Sequence, residues 1–308
     1  MKNKTVGFRI ADTLCLALFI LPFLAGITLK ILLSPPAEGI VITGAQIYFT
    51  IPMPLQPLPI TEAQVNSWLV ILSILGLCLY LTHGIRARVS TRRQMLAEWL
   101  VEKVDGMVKS NMGRDFVSGF GPFVAAILAL SALSSLSSLL GIFPPTSDIN
   151  VTAGWAILVF GLITYYKMKC GPWHYVKSFG DPVAVLAPMN LISEVATPIS
   201  MAFRHYGNIL SGTIISVLVA SGLAGLSEMI FGALPGFLGE FPFLRVGLPA
   251  LLSVYFDVFS GCLQAYIFAV LTMLYVSNGF PADDYRERQI RRAQKRAEKE
   301  AQRNASTN

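Results

Sequence analysis

An all-α, polytopic membrane protein with about six membrane helices is the fold class this sequence predicts, and three observations predict it. Of its 308 residues, 54% are hydrophobic and only 14% are charged, whereas about a quarter of a soluble domain is charged. Several apolar runs reach the ~20 residues that a helix needs to cross a hydrocarbon core of ~30 Å. The connections between those runs alternate between basic and non-basic, which is the pattern that orients a multi-span chain.

Taken in order, the first apolar run is Asp12–Leu33, preceded by Lys2, Lys4 and Arg9. It exceeds the ~7–15 residues of a signal peptide's apolar region, and no A-x-A-like cleavage site follows, so it is expected to stay as an anchor. Ser34–Gln64 contains no lysine or arginine. After the second run, Val65–His83, a basic connection holds Arg86, Arg88, Arg92, Arg93, Lys103, Lys109 and Arg114. Within it Leu96, Trp99, Leu100, Val104 and Met107 recur at helical spacing among Glu98, Glu102 and Lys103, so Ser90–Gly113 is expected to be an amphipathic helix on the membrane surface.

The third and fourth runs, Phe116–Phe143 and Val151–Lys167, are joined by Pro144–Asn150, which has no basic residue; Lys167, Lys169 and Lys177 follow the fourth. The fifth and sixth, Leu186–Gly225 and Leu248–Val276, are separated by a stretch whose only cation is Arg245. The tail beyond is dense in arginine and lysine. Six crossings with both termini cytoplasmic satisfy this alternation, and Lys30 and Arg245 can snorkel to water at the outer face. As one helix, the fifth run would be ~60 Å long, twice the apolar core. Folding it as a hairpin would send the basic tail outside. A single, strongly tilted crossing is therefore expected, with the long sixth helix lying beside it. The polar segment Asp283–Asn308 reads as a solvated helix or a disordered tail.

Composition also excludes. The net charge of +6 sits in short segments beside apolar runs, so it reports orientation and gives no reason to expect nucleic acid. Cys15, Cys78, Cys170 and Cys262 show no metal or disulfide spacing, and His83, His174 and His205 show no ligand spacing. No cofactor or metal site is expected.

One residue decides the functional reading. Arg204 is the only lysine or arginine in Leu186–Gly225, and a guanidinium stays cationic wherever the fold puts it. At the centre of a bilayer its charge costs ~2.5–3.5 kcal/mol on insertion scales. Asn208 and Ser211 share its helical face, and Gly207 and Gly212 leave room for another surface to approach. In the last run Ser253, Asp257, Ser260, Gly261, Gln264 and Phe268 recur at similar spacing. Glu194 lies ten residues before Arg204, toward the cytoplasmic end. Three readings of the constellation stand at this point. One is an ion path that uses acids at different depths; another is a proton-coupled secondary transporter built on a carboxylate–arginine pair; the third is an Arg204–Asp257 pair that only fixes helix packing. Transporters of the second kind often show internal repeats, and none is visible here.

The stretches Pro188-Met-Asn190-Leu-Ile-Ser-Glu194, Pro198-Ile-Ser-Met-Ala-Phe-Arg204-His-Tyr-Gly207-Asn208-Ile and Leu263-Gln264-Ala265-Tyr-Ile-Phe268 after Asp257 closely resemble subunit a of bacterial F-type ATP synthases. Pro59-Ile-Thr-Glu62, Val104–Gly113 and Pro144–Thr152 extend the likeness over about Pro59–Val276. The resemblance implies a membrane domain over 59–279, preceded by an added anchor span and outside loop (1–58) and followed by a charged cytoplasmic tail (280–308). It implies an ion-translocating stator subunit with two offset half-channels, in which Arg204 engages the carboxylates of a rotating ring of c subunits. Asn208 and Gln264 would be polar neighbours of the arginine. Asp257 would line access from outside, and Glu194 would stand near the cytoplasmic exit. The chain itself would hydrolyse nothing. Its partners would be the c ring, the b subunits of the peripheral stalk, the other synthase subunits and membrane lipid, and its place the bacterial plasma (inner) membrane. Three departures stand out. His205 replaces an apolar residue beside the arginine, Thr213 stands where some relatives carry a channel glutamate, and Asp12–Leu33 is additional.

Overall fold

The computed structural model describes residues 2–33, 44–54, 56–85, 91–113, 116–179, 185, 187–232, 244, 247–248, 251–252, 254–280, 290–291 and 294. The expectations for Arg86, Arg88, Arg245 and Ser253, and almost all of those for the tail, lie outside these residues. Among the described residues, eight α-helices and one hairpin follow along the chain. They are α1 (Lys2–Leu33), β1 (Ile47–Ile51), β2 (Leu58–Thr61), α2 (Glu62–Thr82), α3 (Arg92–Met112), α4 (Val117–Leu136), α5 (Ile149–Lys167), α6 (Pro172–Ser178), α7 (Ala187–Phe231) and α8 (Gly261–Gly279). A π-helical turn, Val254–Ser260, runs directly into α8. Among the described residues six helical segments are long and apolar enough to cross a membrane, each overlapping one predicted run. The chain is an all-α, multi-pass membrane protein.

Local chemistry sets the boundaries. Thr61 opens α2 with a capping box: its hydroxyl accepts from the Gln64 N–H (3.4 Å), and its own N–H donates to Gln64 Oε1 (3.3 Å), satisfying two groups at the helix start reciprocally. Thr91 caps α3 and Asp148 caps α5 in the simpler one-sided way. Short 3₁₀ turns, Ser137–Leu140 and Pro145–Ser147, connect α4 to α5. The antiparallel β1–β2 hairpin and the short α6 were not among the predicted elements.

The core is where five helices meet. Val108 and Met112 of α3, Phe120, Val124 and Ile127 of α4, Val159 and Ile163 of α5, Met201 of α7, and Phe268, Ala269, Met273 and Val276 of α8 form one buried cluster. Helix α3 is therefore divided. Its first half exposes Leu96, Trp99 and Leu100, as a surface amphipathic helix should, while its last turns enter the core. Helix α1 packs chiefly on α2. They cross so closely that a Cβ on Gly76 would lie 2.5 Å from the Phe19 backbone nitrogen and 3.0 Å from the Leu18 carbonyl oxygen. Pro22 inside α1 has no N–H to give Leu18 its i→i−4 bond. The carbonyl that Gly76 admits is thus the one the proline leaves without its helical donor.

Helix α7 is 45 residues long. At ~1.5 Å per residue it spans ~68 Å, more than twice the hydrocarbon thickness, so a single crossing must tilt or project. It packs against α5, α8 and the π-helical turn. The long fifth and sixth spans thus lie against one another, as expected from their lengths.

Candidate functional site

Arg204 stands on α7 and is exposed at the protein surface. Among the described residues no acid lies within ion-pair distance of it, and it makes no hydrogen bond. The neighbouring Gly207 has nothing within 4 Å of the place a Cβ would occupy, so the surface beside the guanidinium is open. The packing reading, in which Arg204 is neutralised by Asp257 of its own chain, is not the arrangement found. Asp257 lies half-buried in the π-helical turn.

One helical turn beyond Arg204, Asn208 knits α7 to that same turn. Its amide donates to Ser260 Oγ at 2.8 Å, and the Ser260 hydroxyl donates to Asn208 Oδ1 at 3.0 Å. Gly212, a turn further, faces the Phe256 ring, which would lie 2.9 Å from an added Cβ. Sequence spacing pointed to Gly207 and Gly212 together; the structure gives Gly212 to internal packing and leaves Gly207 free. The Thr213 hydroxyl donates to Ile209 O within the helix (3.0 Å), and Ser211 bonds back to Asn208 O (3.1 Å). Gln264 is buried in α8.

His205 points the other way, into the bundle, with 0% exposure. Its Nε2 lies 3.3 Å from Ser131 Oγ of α4, and its ring meets Trp155 and Phe268 edge-on. Its Nδ1 is buried with no hydrogen-bond partner. The histidine is an interior residue, away from lipid.

Toward the start of α7, Glu194 is bound on both oxygens. Lys167 Nζ donates to Oε2 at 2.7 Å and the Tyr175 hydroxyl donates to Oε1 at 3.2 Å. The glutamate side chain is only 7% exposed. Burial, then the Glu194 charge, hold the Tyr175 phenol above its ordinary range, so it remains a donor at neutral pH. A cavity of about 400 Å³ opens here, lined by Lys167, Asn190, Ser193, Glu194, Thr197 and Asn278 among others. Pro198 withholds the N–H that would have bonded the Glu194 carbonyl, leaving a further acceptor beside this polar space. Sequence reasoning found Glu194 but missed Lys167 and Tyr175 as its partners. In the sequence pattern Lys167 carries an orientation signal and nothing more.

Buried polar groups without hydrogen-bond partners are a few per domain in ordinary proteins and each needs an explanation. Here they include Glu62 Oε1, Ser73, Ser134, Ser135, Thr146, Ser147 and Ser227 besides His205.

A helical bundle of six membrane-length segments, with hydroxyls, amides and acids buried between the helices, defines a polytopic membrane protein with a polar interior. Comparison with known proteins makes the class particular. The family described as "ATP synthase A chain" matches residues 64–277. ATP synthase subunit a of Listeria welshimeri is 33% identical over 216 residues, covering 67% of this chain and 85% of the relative. That of Desulforamulus reducens is 30% identical over 70% and 78% respectively, and that of Priestia megaterium 34% over 62% and 79%. This chain belongs to the ATP synthase subunit a family, whose work is ion transport coupled to ATP synthesis.

Proposed function

We propose that this chain is the ion-translocating stator subunit of a rotary ATP synthase, non-catalytic toward ATP, with Arg204 facing a ring of c subunits. The observation that carries the reading is the guanidinium that is exposed within an apolar, membrane-length helix and has no counter-charge among the described residues. Such a charge needs a partner or a water-filled space. The open surface at Gly207 suits a neighbouring helix that delivers a carboxylate.

The remaining site residues divide into two half-paths. On the outer side, Asp257 with Asn208, Ser260 and Gln264 would pass protons from outside to a ring carboxylate. On the cytoplasmic side the polar cavity at Glu194 would receive them. A protonated, neutral ring carboxylate can move into lipid. An ionised one is held by Arg204, whose fixed charge also repels protons and so keeps the half-paths from joining. Each transfer moves one proton onto a carboxylate and one off, and no other bond changes. His205 and Thr213 are not assigned a proton-carrying role. Both termini are proposed to be cytoplasmic, with 1–58 as anchor and outside loop, 59–279 as the membrane domain and 280–308 as the tail. The b subunits would dock on the stator side, away from Arg204.

The test is Arg204→Ala in the complete complex, reconstituted in liposomes, with proton-driven ATP synthesis as the readout. Synthesis at background level, with the complex still assembled, is expected. Retained coupling would remove the basis of the proposal. A secondary transporter would instead move its solute when purified alone.

A further inference from the structure

A buried acid that no half-path uses lies at the start of α2. Glu62 is 4% exposed, and among the described residues its Oε1 has no hydrogen-bond partner, although the backbone at Gln46 and Phe143 and the Asn66 side chain lie close enough to its carboxyl group to favour the ionised form. An acid in a first helical turn is usually a solvated partner of the helix dipole, and capping would be the plain explanation. Here Gln64 completes the capping box with Thr61, and Glu62 is turned inward. Its backbone N–H donates to Gln46 O at 2.7 Å, fixing the hairpin against it. Asn66, one turn on and equally buried, donates to Phe143 O at 2.9 Å. The charged and titratable groups facing Glu62 among the described residues are Lys30 of α1 and Tyr48 of β1. The connection after α4 offers backbone: Lys30 Nζ donates to Gly141 O. Gly26 of α1 comes close over this niche, a Cβ there lying 3.2 Å from Ile142 Cδ1 and 3.7 Å from Asn66 Oδ1. Burial, and then the Glu62 charge, push the Tyr48 phenol up to about 12.

Among the described residues, further buried hydroxyls without partners lie on the elements packed around this niche: Ser73 on α2, Ser134 and Ser135 on α4, and Thr146 and Ser147 in the turn that packs on both α2 and α7. A Cβ on Gly261 would lie 2.7 Å from Ser135 Cβ, so the serine face reaches the junction of the π-helical turn and α8, beside the Asn208–Ser260 pair. Hydroxyls that are buried and unpaired take their hydrogen bonds from water. Glu62, Lys30 and Tyr48 all precede residue 64, where the family match begins.

We propose that Glu62 is a proton-exchanging carboxylate at the outer mouth of the ion path, and that Lys30 on the additional helix α1 sets the pH at which it exchanges. This rests on the outer half-path proposed above. A cation near a carboxylate favours the ionised form, so removing Lys30 moves the exchange to higher pH. The assembled synthase in liposomes is the sample, with initial ATP synthesis rate measured against luminal pH at fixed external pH and potential, the outer face being luminal. Glu62→Gln is expected to lower the rate several-fold across the neutral range. Glu62→Asp should recover part of the rate lost in Glu62→Gln and move the profile slightly to lower pH, because aspartate is the stronger acid by ~0.4 unit. Lys30→Gln is expected to move it to higher pH by about half a unit or more. A Glu62→Gln complex with unchanged rate and profile overturns the proposal, as does a profile that stays where it was in each of Glu62→Asp and Lys30→Gln made singly. Arg204→Ala, run in parallel, separates the two levels. Coupling that survives it removes the half-path reading itself, whereas a dead Arg204→Ala beside an indifferent Glu62→Gln removes only the role of Glu62.

Discussion

Two arginines show how differently this molecule treats the same side chain. Arg93, at the start of α3, is held by an acid, a carbonyl and two aromatic rings. Its Nη1 donates to Asp12 Oδ1 at 2.7 Å, its Nη2 donates to His83 O, and its guanidinium lies over the Phe8 and Tyr80 rings. His83 bonds the same Asp12 oxygen at 2.8 Å and stacks on Phe8. That cluster fastens α1 to the α2–α3 corner. Arg204 has none of these contacts among the described residues, although it occupies the more apolar surroundings. On the function proposed above, the cation left bare among the described residues takes its partner from outside the chain. On that reading, incompleteness, more than the presence of a charge, is what would mark a working residue.

The comparison breaks most visibly through a pair of substitutions. Arg204→Ala should end coupled ATP synthesis while leaving the melting temperature of the detergent-solubilised complex essentially unmoved, because no intrachain hydrogen bond or ion pair among the described residues is lost. Arg93→Ala should do the reverse: coupling persists, but the complex melts earlier as α1 loosens. If both variants lose stability and both keep coupling, the distinction drawn between the two arginines is wrong.

Next in size is Glu194→Gln. The carboxylate is bonded by Lys167 and Tyr175 and borders the polar cavity, so its replacement removes a titratable group and leaves Lys167 without its acid. Proton-driven synthesis is expected to fall about tenfold, equivalent to ~1.4 kcal/mol, with Glu194→Asp recovering part of it. Equal rates for Gln and wild type would show that Glu194 serves only as a strut between α5 and α7.

A smaller, purely structural effect sharpens the account of α1. Gly76→Leu would force a side chain into backbone atoms of Leu18 and Phe19. Overpacking of this kind costs about 1–3 kcal/mol, read as an earlier thermal transition. An unchanged transition would mean that α1 does not lie on α2 in this way.

What the sequence allowed to be read, and what it hid, follows from how local each signal was. The six spans were legible because ~20 consecutive apolar residues are a local pattern, and α3 because its apolar residues recur at helical spacing. Arg204 was legible for the same reason: one cation in forty residues is seen without knowing any neighbour. The Lys167–Glu194 and Tyr175–Glu194 contacts span 27 and 19 residues, and those of Asp12 with His83 and Arg93 span 71 and 81. No periodicity encodes such pairs. The inward turn of His205 was hidden too, since its direction is fixed by Ser131, Trp155 and Phe268 on three other helices. The π-helical turn at Val254–Ser260 keeps the apolar composition of a helix, so only geometry reveals it. The hairpin strands, five and four residues long and mostly exposed, carry too little alternation to be read.

The finest test of the comparison lies one turn from Arg204, where the molecule does complete a polar pair. Asn208 and Ser260 exchange two hydrogen bonds between α7 and the π-helical turn, and interhelical bonds of this type contribute ~0.6–2 kcal/mol in membranes. If the pair serves to hold Asp257 and Arg204 at a fixed separation, Asn208→Ala should lower synthesis by only a few-fold. It should also raise the fraction of ATP hydrolysis that is uncoupled from proton pumping, because the outer half-path and the arginine would no longer be held in register. Asn208→Gln and Ser260→Ala should fall between the variant and wild type. A Asn208→Ala complex that is less stable yet fully coupled would assign the pair to helix packing alone, and the boundary between working and structural polar groups would then pass between residues 204 and 208 of α7.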